Sequence, residues 1–294
     1  MQFLSYLING ISLGSVYALI ALGYTMVYGI AKMLNFAHGD VIMIGSYVVF
    51  FAFGSAGMNP VLAIVLSMVV CTLLGVTVER IASRPLREAP SLAVLITAIG
   101  VSYLLQQVAQ LAWTSNPKSF TSVVSGMKPV SLFGGQLTIS AETIVTIVAC
   151  VVIMVVLMWF VNYTPAGHAM LAVSEDRGAA QLMGVNVNAT ISLTFAIGSA
   201  LAAVAGALLC SSYPTLQPTT GAMPGIKAFV AAVFGGIGSI PGALIGGVLL
   251  GIIEILSKAY ISSQLSDAIV FSVLIIVLLV RPTGILGKKL NEKV

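Results

Sequence analysis

The chain has 294 residues, of which 59% are hydrophobic and only 13 basic and 9 acidic, a composition that excludes an ordinary soluble domain. Uncharged runs at 1–31, 41–78 and 178–226 are long enough to cross a bilayer. The net charge of +4 does not indicate nucleic-acid binding, because the basic residues lie at the ends of apolar segments. We therefore expect an all-α polytopic protein in contact with membrane lipid, with one transmembrane domain over residues 1–294.

The first half of the chain contains a polar interruption in an otherwise apolar region. Its apolar segments lie at 4–30, 41–53, 60–78, 92–113 and 144–160. Between the first two is AKMLNFAHGD, residues 31–40, whose polar groups are costly in lipid unless they line a water-filled cavity or an interface. Asn35, His38 and Asp40 are therefore candidates to line a path across the membrane. Helix capping and backbone hydrogen bonding by His38 and Asp40 are the simpler alternative.

The polar loop at 114–140 contains two short runs with strand character, VSLF and QLTI, around Gly134 and Gly135. Two consecutive glycines can adopt the positive φ angles of a tight hairpin turn. The pattern predicts a small hairpin on the outer face of the membrane.

The second half of the chain again places a broken segment after a long apolar one. Its apolar segments lie at 191–211, 243–256 and 267–280. The first of them carries Gly198, Ala202 and Gly206 at four-residue spacing, which is typical of close helix packing. Residues 213–242, rich in Gly and Pro, contain only a short apolar piece and predict a broken helix. In total we expect about eight transmembrane helices with two broken segments, arranged as in an inverted repeat.

The distribution of basic residues predicts the orientation, since cytoplasmic loops carry the excess of Lys and Arg. Nine of the thirteen fall at the arginine-rich loop 79–88, the loop 164–188, the first break and the C-terminus. These residues are Lys32, Arg80, Arg84, Arg87, Arg177, Arg281, Lys288, Lys289 and Lys293. We expect the C-terminus in the cytoplasm and the N-terminus, which lacks basic residues, in the periplasm.

The loop 164–188 separates two apolar segments and has the signals of a short helix of its own. Ser174 can cap a helix running from Glu175 to Met183, with two acids in its first turn. Gly184 follows where a left-handed C-cap is expected. An ordinary connecting loop is the alternative.

Motifs for catalysis are missing from the sequence. No GxxxxGK[ST] phosphate-binding loop occurs, and the glycine cluster at 235–238 lacks the following lysine. The two histidines and scattered acids form no catalytic set, and Cys71, Cys150 and Cys210 have no metal-ligand spacing. We expect neither an enzyme nor a bound cofactor or metal, so transport energy must come from an ion gradient or a separate subunit.

Five stretches carry a resemblance to a known family. They are GSVYALIALGYTMVYGIAKMLNFAHGD (14–40), ERIASRPLR (79–87), AVSEDRGAAQLMGVNV (172–187), GIKAFVAAVFGGIGSIPGA (225–243) and LLVRPTGILG (278–287). With these stretches the chain resembles the membrane permease subunit of bacterial branched-chain amino-acid ABC importers. The resemblance covers nearly the whole length.

The resemblance implies a coupling helix in the loop 164–188 that docks into an ATPase subunit. Ala179-Ala180-xxx-Gly184 matches the AAxxxG part of the importer coupling motif, although Gly178 stands where a glutamate often precedes the alanines. The implied coupling residues are Glu175, Asp176, Ala179, Ala180, Leu182 and Gly184. The implied partners are ATPase subunits, a second homologous permease and a periplasmic solute-binding protein, which would contact the periplasmic loop 114–140. Branched-chain or related amino acids would be carried across the inner membrane.

Two other functions remain open from the residues alone. In an ion-coupled secondary amino-acid carrier, His38, Asp40 and Glu254 would serve as coupling residues, whereas a passive channel would expect repeated polar residues along a pore. The i,i+4 spacing of Glu254 and Lys258 is also that of a local ion pair. A docking helix favours the ATP-driven importer, because a secondary carrier does not need one.

Overall fold

The computed structural model describes residues 2–132 and 137–287 and is built almost entirely of helices. The helices are α1 Gln2–Ala31, α2 His38–Val49, α3 Pro60–Val78, α4 Ser91–Trp113, α5 Ala141–Tyr163, α6 Pro165–Glu175, α7 Arg177–Leu182, α8 Val187–Ser212, α9 Ala222–Gly235, α10 Ile240–Tyr260 and α11 Ser266–Val280. Helix α2 continues into a π-helical turn at Phe50–Ser55, and α3 continues through a π-helical turn at Glu79–Ser83 into a 3-10 turn at Arg84–Leu86.

Helix α1 forms the centre of the bundle. Every residue from Ser12 to Val27 is buried, as expected for a helix that is apolar on all sides. It packs most extensively against α10, and glycines permit the contact. A Cβ placed on Gly251 would lie 2.2 Å from the backbone nitrogen of Gly14, so the two helices meet backbone to backbone.

Helix α8 packs against the other side of this centre through the predicted small residues. A Cβ on Gly198 would lie 3.3 Å from the carbonyl oxygen of Gly23 in α1, and one on Gly206 would lie 2.6 Å from that of Ile42 in α2. Ala202, between them, is completely buried. The small-residue stripe therefore joins α8 to both α1 and α2.

The loops gather on two opposite faces. On one, which we call the hairpin face, Lys118–Ser119 (β1) pairs antiparallel with Thr215–Leu216 (β4), and the Tyr6 and Tyr260 rings lie 5.9 Å apart. Val130–Leu132 (β2) pairs with Leu137–Ile139 (β3) on the same loop as β1, as the hairpin prediction required. The turn predicted at Gly134 and Gly135 lies outside the described residues.

The opposite face, which we call the arginine face, contains the loop 79–90, the loop 164–188, the segment 32–37 and residues 281–287. The Ile285 amide donates to the carbonyl oxygen of Phe234 at the end of α9, at 3.0 Å. A Cβ on Gly29, near the end of α1, would lie 3.2 Å from the Cα of Gly238, just after α9. The segments predicted to share one side of the membrane thus lie together.

The apolar helices match the predicted segments. Within the described residues, seven helices are long and apolar enough to cross a membrane, and α9 and α11 are shorter apolar helices. The expected number of about eight lies between these seven and the nine obtained when both short helices are included. Helix α9 has 14 residues, about 21 Å, which is less than the hydrocarbon thickness. The all-α polytopic fold is confirmed.

Candidate functional site

The loop 164–188 folds into two consecutive helices, α6 and α7. Asp176 caps α7, because its carboxylate accepts a hydrogen bond from the Ala179 amide at 2.9 Å. Ser174, predicted to be this cap, instead donates to the carbonyl oxygen of Leu171 within α6. The predicted start at Glu175 is therefore wrong by two residues, since Glu175 ends α6 and Asp176 is the extended residue between the helices.

The C-terminal end of α7 follows the prediction. Gly184 has φ of +86°, the left-handed conformation that favours glycine. The Val185 amide donates to the Ala180 carbonyl and the Gly184 amide to the Gln181 carbonyl, both at 3.0 Å. These two bonds satisfy the last carbonyls of α7 and fix its end without a protein partner.

The side chains of α7 divide into an exposed and a buried set. Leu182 is 89% exposed and Met183 is 85% exposed, so both project from the arginine face. Glu175, Asp176, Ala179 and Gly184 are exposed as well. Ala180 is not: it is 4% exposed and belongs to the main hydrophobic core. The prediction that Ala180 faces a partner protein is wrong, because this side of the helix packs on its own chain.

An ionic network attaches the arginine-rich loop to α8. Glu79 is completely buried and pairs with Arg87, and the Ser192 hydroxyl donates to its second carboxylate oxygen at 2.6 Å. Arg87 also donates to the side-chain oxygen of Asn188 in the first turn of α8. A buried carboxylate needs such partners, so the network holds the loop in one position.

Arg177, the first residue of α7, donates a hydrogen bond to the carbonyl oxygen of Ala31 at the end of α1. This carbonyl is one of the last in its helix and has no partner within it. Burial and the neighbouring positive charge of Arg87 lower the pKa of Arg177 from its ordinary value, which is so high that the side chain stays cationic. The contact joins α7 to the break after α1, and sequence reasoning missed it because the residues are 146 positions apart.

Between the arginine-rich loop and α7 runs an open groove, which we call the arginine groove. The arginine-rich loop contributes Arg84, Pro85, Arg87 and Glu88 to one wall. The other wall is formed by Arg177, Gly178, Gln181 and the segment 184–188, and the lining is mainly polar. Its charged lining residues are Arg84, Arg87, Arg177 and Glu88. Because Arg177, Gly178 and Gln181 of α7 line it, the groove lies next to the exposed side of this helix.

The break after α1 does not bring its three candidate residues to one surface. Helix α2 begins at His38, so His38 and Asp40 belong to the helix and only 32–37 is non-helical. The His38 ring packs on Tyr24 of α1, with centroids 4.7 Å apart, in space that a Cβ on Gly23 would fill. Positions two apart in a helix do not share a face, so Asp40 points elsewhere.

Asp40 is 1% exposed and accepts a hydrogen bond from Nε2 of Gln106 in α4 at 2.9 Å. The residue before α2 is Ala37, which makes no side-chain cap. Asp40 therefore attaches α4 to α2, and the capping alternative does not hold for α2, because Ala37 stands at its cap position. Asn35, 8% exposed, remains in the non-helical segment and lines a small pocket with Tyr24, Tyr28 and Phe229.

A second ionic cluster lies inside the bundle. Glu254 is 1% exposed and accepts bonds from Lys258 at 2.6 Å, Lys227 at 2.8 Å and the Tyr17 hydroxyl at 2.9 Å. Lys227 also pairs with Asp267 at 2.7 Å. The predicted ion pair of Glu254 with Lys258 is confirmed, but it forms only part of a cluster that joins four helices.

No group of three or more potential metal ligands occurs in the described ranges 2–132 and 137–287. The three cysteines are buried apart from one another as free thiols. Hydrogen bonding, ion pairing and apolar contact are the interactions that these sites offer.

Comparison with known proteins agrees with these features. Residues 6–278 match the family described as the permease component of a branched-chain amino acid transport system. One relative is the high-affinity branched-chain amino acid transport system permease protein LivH of Escherichia coli K12. It is 45% identical to this chain, over 100% of this chain and 98% of its own length. BraD of Pseudomonas aeruginosa is 44% identical over the same shares. A probable branched-chain amino acid transport permease protein of Methanocaldococcus jannaschii is 31% identical, over 93% of this chain and 90% of its own length.

Proposed function

The chain belongs to the family of branched-chain amino acid transport permeases. From this premise we propose a role in import for each of its surfaces. It is the multi-pass inner-membrane subunit of an ATP-driven importer and not an ion-coupled carrier. ATP hydrolysis belongs to separate ATPase subunits. Its cargo is a branched-chain or related amino acid, by similarity to relatives named for such transport.

Helix α7 is the surface on which the ATPase subunit docks. The observation that carries this assignment is the exposure of Leu182 and Met183, 89% and 85%, side by side on a polar face of the protein. Exposed apolar side chains on a helix with both ends capped mark a protein contact site. Glu175, Asp176, Ala179 and Gly184 complete the docking surface, while Ala180 anchors α7 to the core.

The arginine face is cytoplasmic, since it gathers the arginine-rich loop, Arg177 and Arg281. The N-terminus then lies in the periplasm with the hairpin face. Opposite termini require an odd number of crossings, so we assign all nine apolar helices of the described residues as crossings, with α9 and α11 as short ones.

The remaining partners fit the other surfaces. The hairpin face, with the loop 114–140, is the platform for a periplasmic solute-binding protein. Helices α3, α4 and α5 are mostly exposed and apolar over their outward sides. They face lipid and a second homologous permease.

The solute path follows the break after α1. Asn35 lies in its non-helical part and lines the pocket beside Tyr24 and Phe229, so it is the candidate for contact with the solute. His38 and Asp40 are buried against α1 and α4, and they set the positions of the helices around the path.

The docking assignment is tested by replacing both Leu182 and Met183 with Asp. Because neither side chain packs on its own chain, insertion and folding should be unchanged, whereas copurification of the ATPase subunit and ATP-driven uptake of leucine should be lost. Met127→Asp places an acid at a residue that is 63% exposed on the opposite, hairpin face, and as the control it should copurify with the ATPase subunit as the wild type does. Normal uptake by the double variant would show that α7 is a connecting loop only.

A further inference from the structure

The arginine groove contains more cationic donors than its own chain uses. Arg87 is occupied, since its two terminal nitrogens bind Glu79 and Asn188. Arg177 uses one nitrogen, for the Ala31 carbonyl, and a guanidinium has five N–H donors. In the part of the chain that the structure describes, neither Arg84 nor Arg177 forms an ion pair with a carboxylate.

The local charge balance is positive. Glu79, which neutralises Arg87, lies completely buried below the groove and is unavailable to an incoming group. Glu88 is the acidic residue among those that line the groove, and Arg84 and Arg177 line it as well. The pKa of Arg177 is lowered in part by repulsion from Arg87, so an anion in the groove would relieve an unfavourable interaction within the protein.

The shape of the groove leaves room for a side chain from outside. Gly178 and Gly184 contribute only backbone to the wall formed by α7. Gln181 and Gly184 line the groove and also flank Leu182 and Met183, so a protein that covers these two apolar side chains also covers the mouth of the groove.

We propose that the arginine groove receives a carboxylate-bearing segment of the ATPase subunit, whose Asp or Glu side chain pairs with Arg84 and Arg177. This proposal rests on the docking of the ATPase subunit at α7. Planar guanidinium groups suit carboxylates because they donate two parallel hydrogen bonds. The apolar contact at Leu182 and Met183 then supplies adhesion, and the groove fixes the orientation of the partner.

The carboxylate would also couple the partner to the interior of the permease. Arg177 binds the end of α1, where the break begins. A carboxylate that displaces the guanidinium of Arg177 would therefore strain or break its hydrogen bond to the Ala31 carbonyl, which lies next to the non-helical segment 32–37. This gives the ATPase subunit a direct route to the solute path, through one side chain.

The test compares Arg84→Glu with Arg80→Glu. Both arginines are exposed on the same loop, but only Arg84 lines the groove. The permease pair is reconstituted in nanodiscs of phosphatidylcholine, and the Kd of the purified ATPase subunit is measured by titration. Arg84→Glu should raise Kd by about tenfold or more, because like charges then face each other, and Arg80→Glu by less than about twofold. Wild-type binding should weaken as NaCl rises from about 50 to about 300 mM, and binding of Arg84→Glu should depend less on salt.

Other outcomes would overturn the proposal. If Arg84→Glu binds the ATPase subunit as tightly as wild type while Leu182→Asp does not, docking at α7 stands and the groove has no acidic partner. If neither substitution weakens binding, the docking assignment fails as well. If Arg84→Glu weakens binding only when the nanodiscs contain phosphatidylglycerol, the groove holds a lipid headgroup and not a carboxylate of the ATPase subunit.

Discussion

Two buried carboxylates, Glu254 and Glu79, are held in contrasting ways. Glu254 receives three donors from three helices, and Lys227 extends the cluster to Asp267 in a fourth. Glu79 receives Arg87, eight residues further along its own loop, and Ser192 of α8. The first carboxylate joins helices across the bundle, whereas the second fastens one loop beside the docking surface.

The difference indicates where each charge acts. A charge among transmembrane helices is costly unless it is paired, so partners of Glu254 are needed for the bundle to form at all. Glu79 lies at the arginine face, where the Arg87 side chain is 12% exposed and water reaches the rim of the pair. We expect changes at Glu254 to act on folding and changes at Glu79 to act on coupling.

The largest effect is expected for Glu254→Gln, which leaves Lys258 and Lys227 with one carboxylate, Asp267, between them. Removing one partner of a buried ion pair costs about 3–5 kcal/mol, so the purified permease should unfold at a much lower temperature. Thermal unfolding in detergent measures this, with Glu175→Gln at an exposed position as the control. Adding Lys258→Met restores the charge balance and should recover part of the stability. If Glu254→Gln melts like the control, the cluster does not hold the bundle together.

An intermediate effect is expected for Glu79→Gln. The amide keeps one acceptor for Arg87 or Ser192 but removes the negative charge, and a hydrogen bond to a charged group contributes about 1.5–3 kcal/mol. The loop should move while the bundle stays folded. ATP-driven uptake should therefore fall strongly relative to wild type, whereas the unfolding temperature should fall much less than it does in Glu254→Gln. A loss of folding as large as that of Glu254→Gln would remove the contrast between the two carboxylates.

Local patterns were enough to predict much of this architecture. The span of α3, residues 60–78, follows directly from an uninterrupted apolar run that begins after Asn59 and ends before Glu79. Gly184 was found as a left-handed C-cap because that signal is contained in a few neighbouring residues. The pairing of Glu254 with Lys258 follows from helical periodicity alone.

Contacts between distant segments could not be predicted in the same way. Tyr17 is 237 positions from Glu254, and no periodicity relates them. The burial of Ala180 depends on how α7 packs on the core, which its own sequence does not encode. The pairing of Asp40 with Gln106, 66 positions away, lies equally outside local patterns, which offer helix capping as an alternative because capping needs only neighbouring residues.

The smallest effect is expected for Asp40→Asn, at a third buried carboxylate that has no cationic partner among the described residues. Its hydrogen-bond donor is the neutral Gln106 amide, and the carbonyl oxygen of Asn can accept the same bond. Asp40→Asn should therefore keep uphill leucine uptake within about twofold of wild type, with or without a protonophore, at matched membrane levels. Asp40→Leu removes the acceptor that α2 offers to the Gln106 amide and leaves it only the more distant Ser102 hydroxyl of its own helix, at 3.4 Å. At a cost of about 1–3 kcal/mol, this change should detach α4 and reduce uptake. Gln106→Leu should relieve part of this defect, since it removes the stranded amide. A different outcome would be the collapse of uphill uptake in Asp40→Asn while facilitated exchange is preserved. The charge of Asp40 would then take part in transport, and its role would not be limited to the structural contact between α2 and α4.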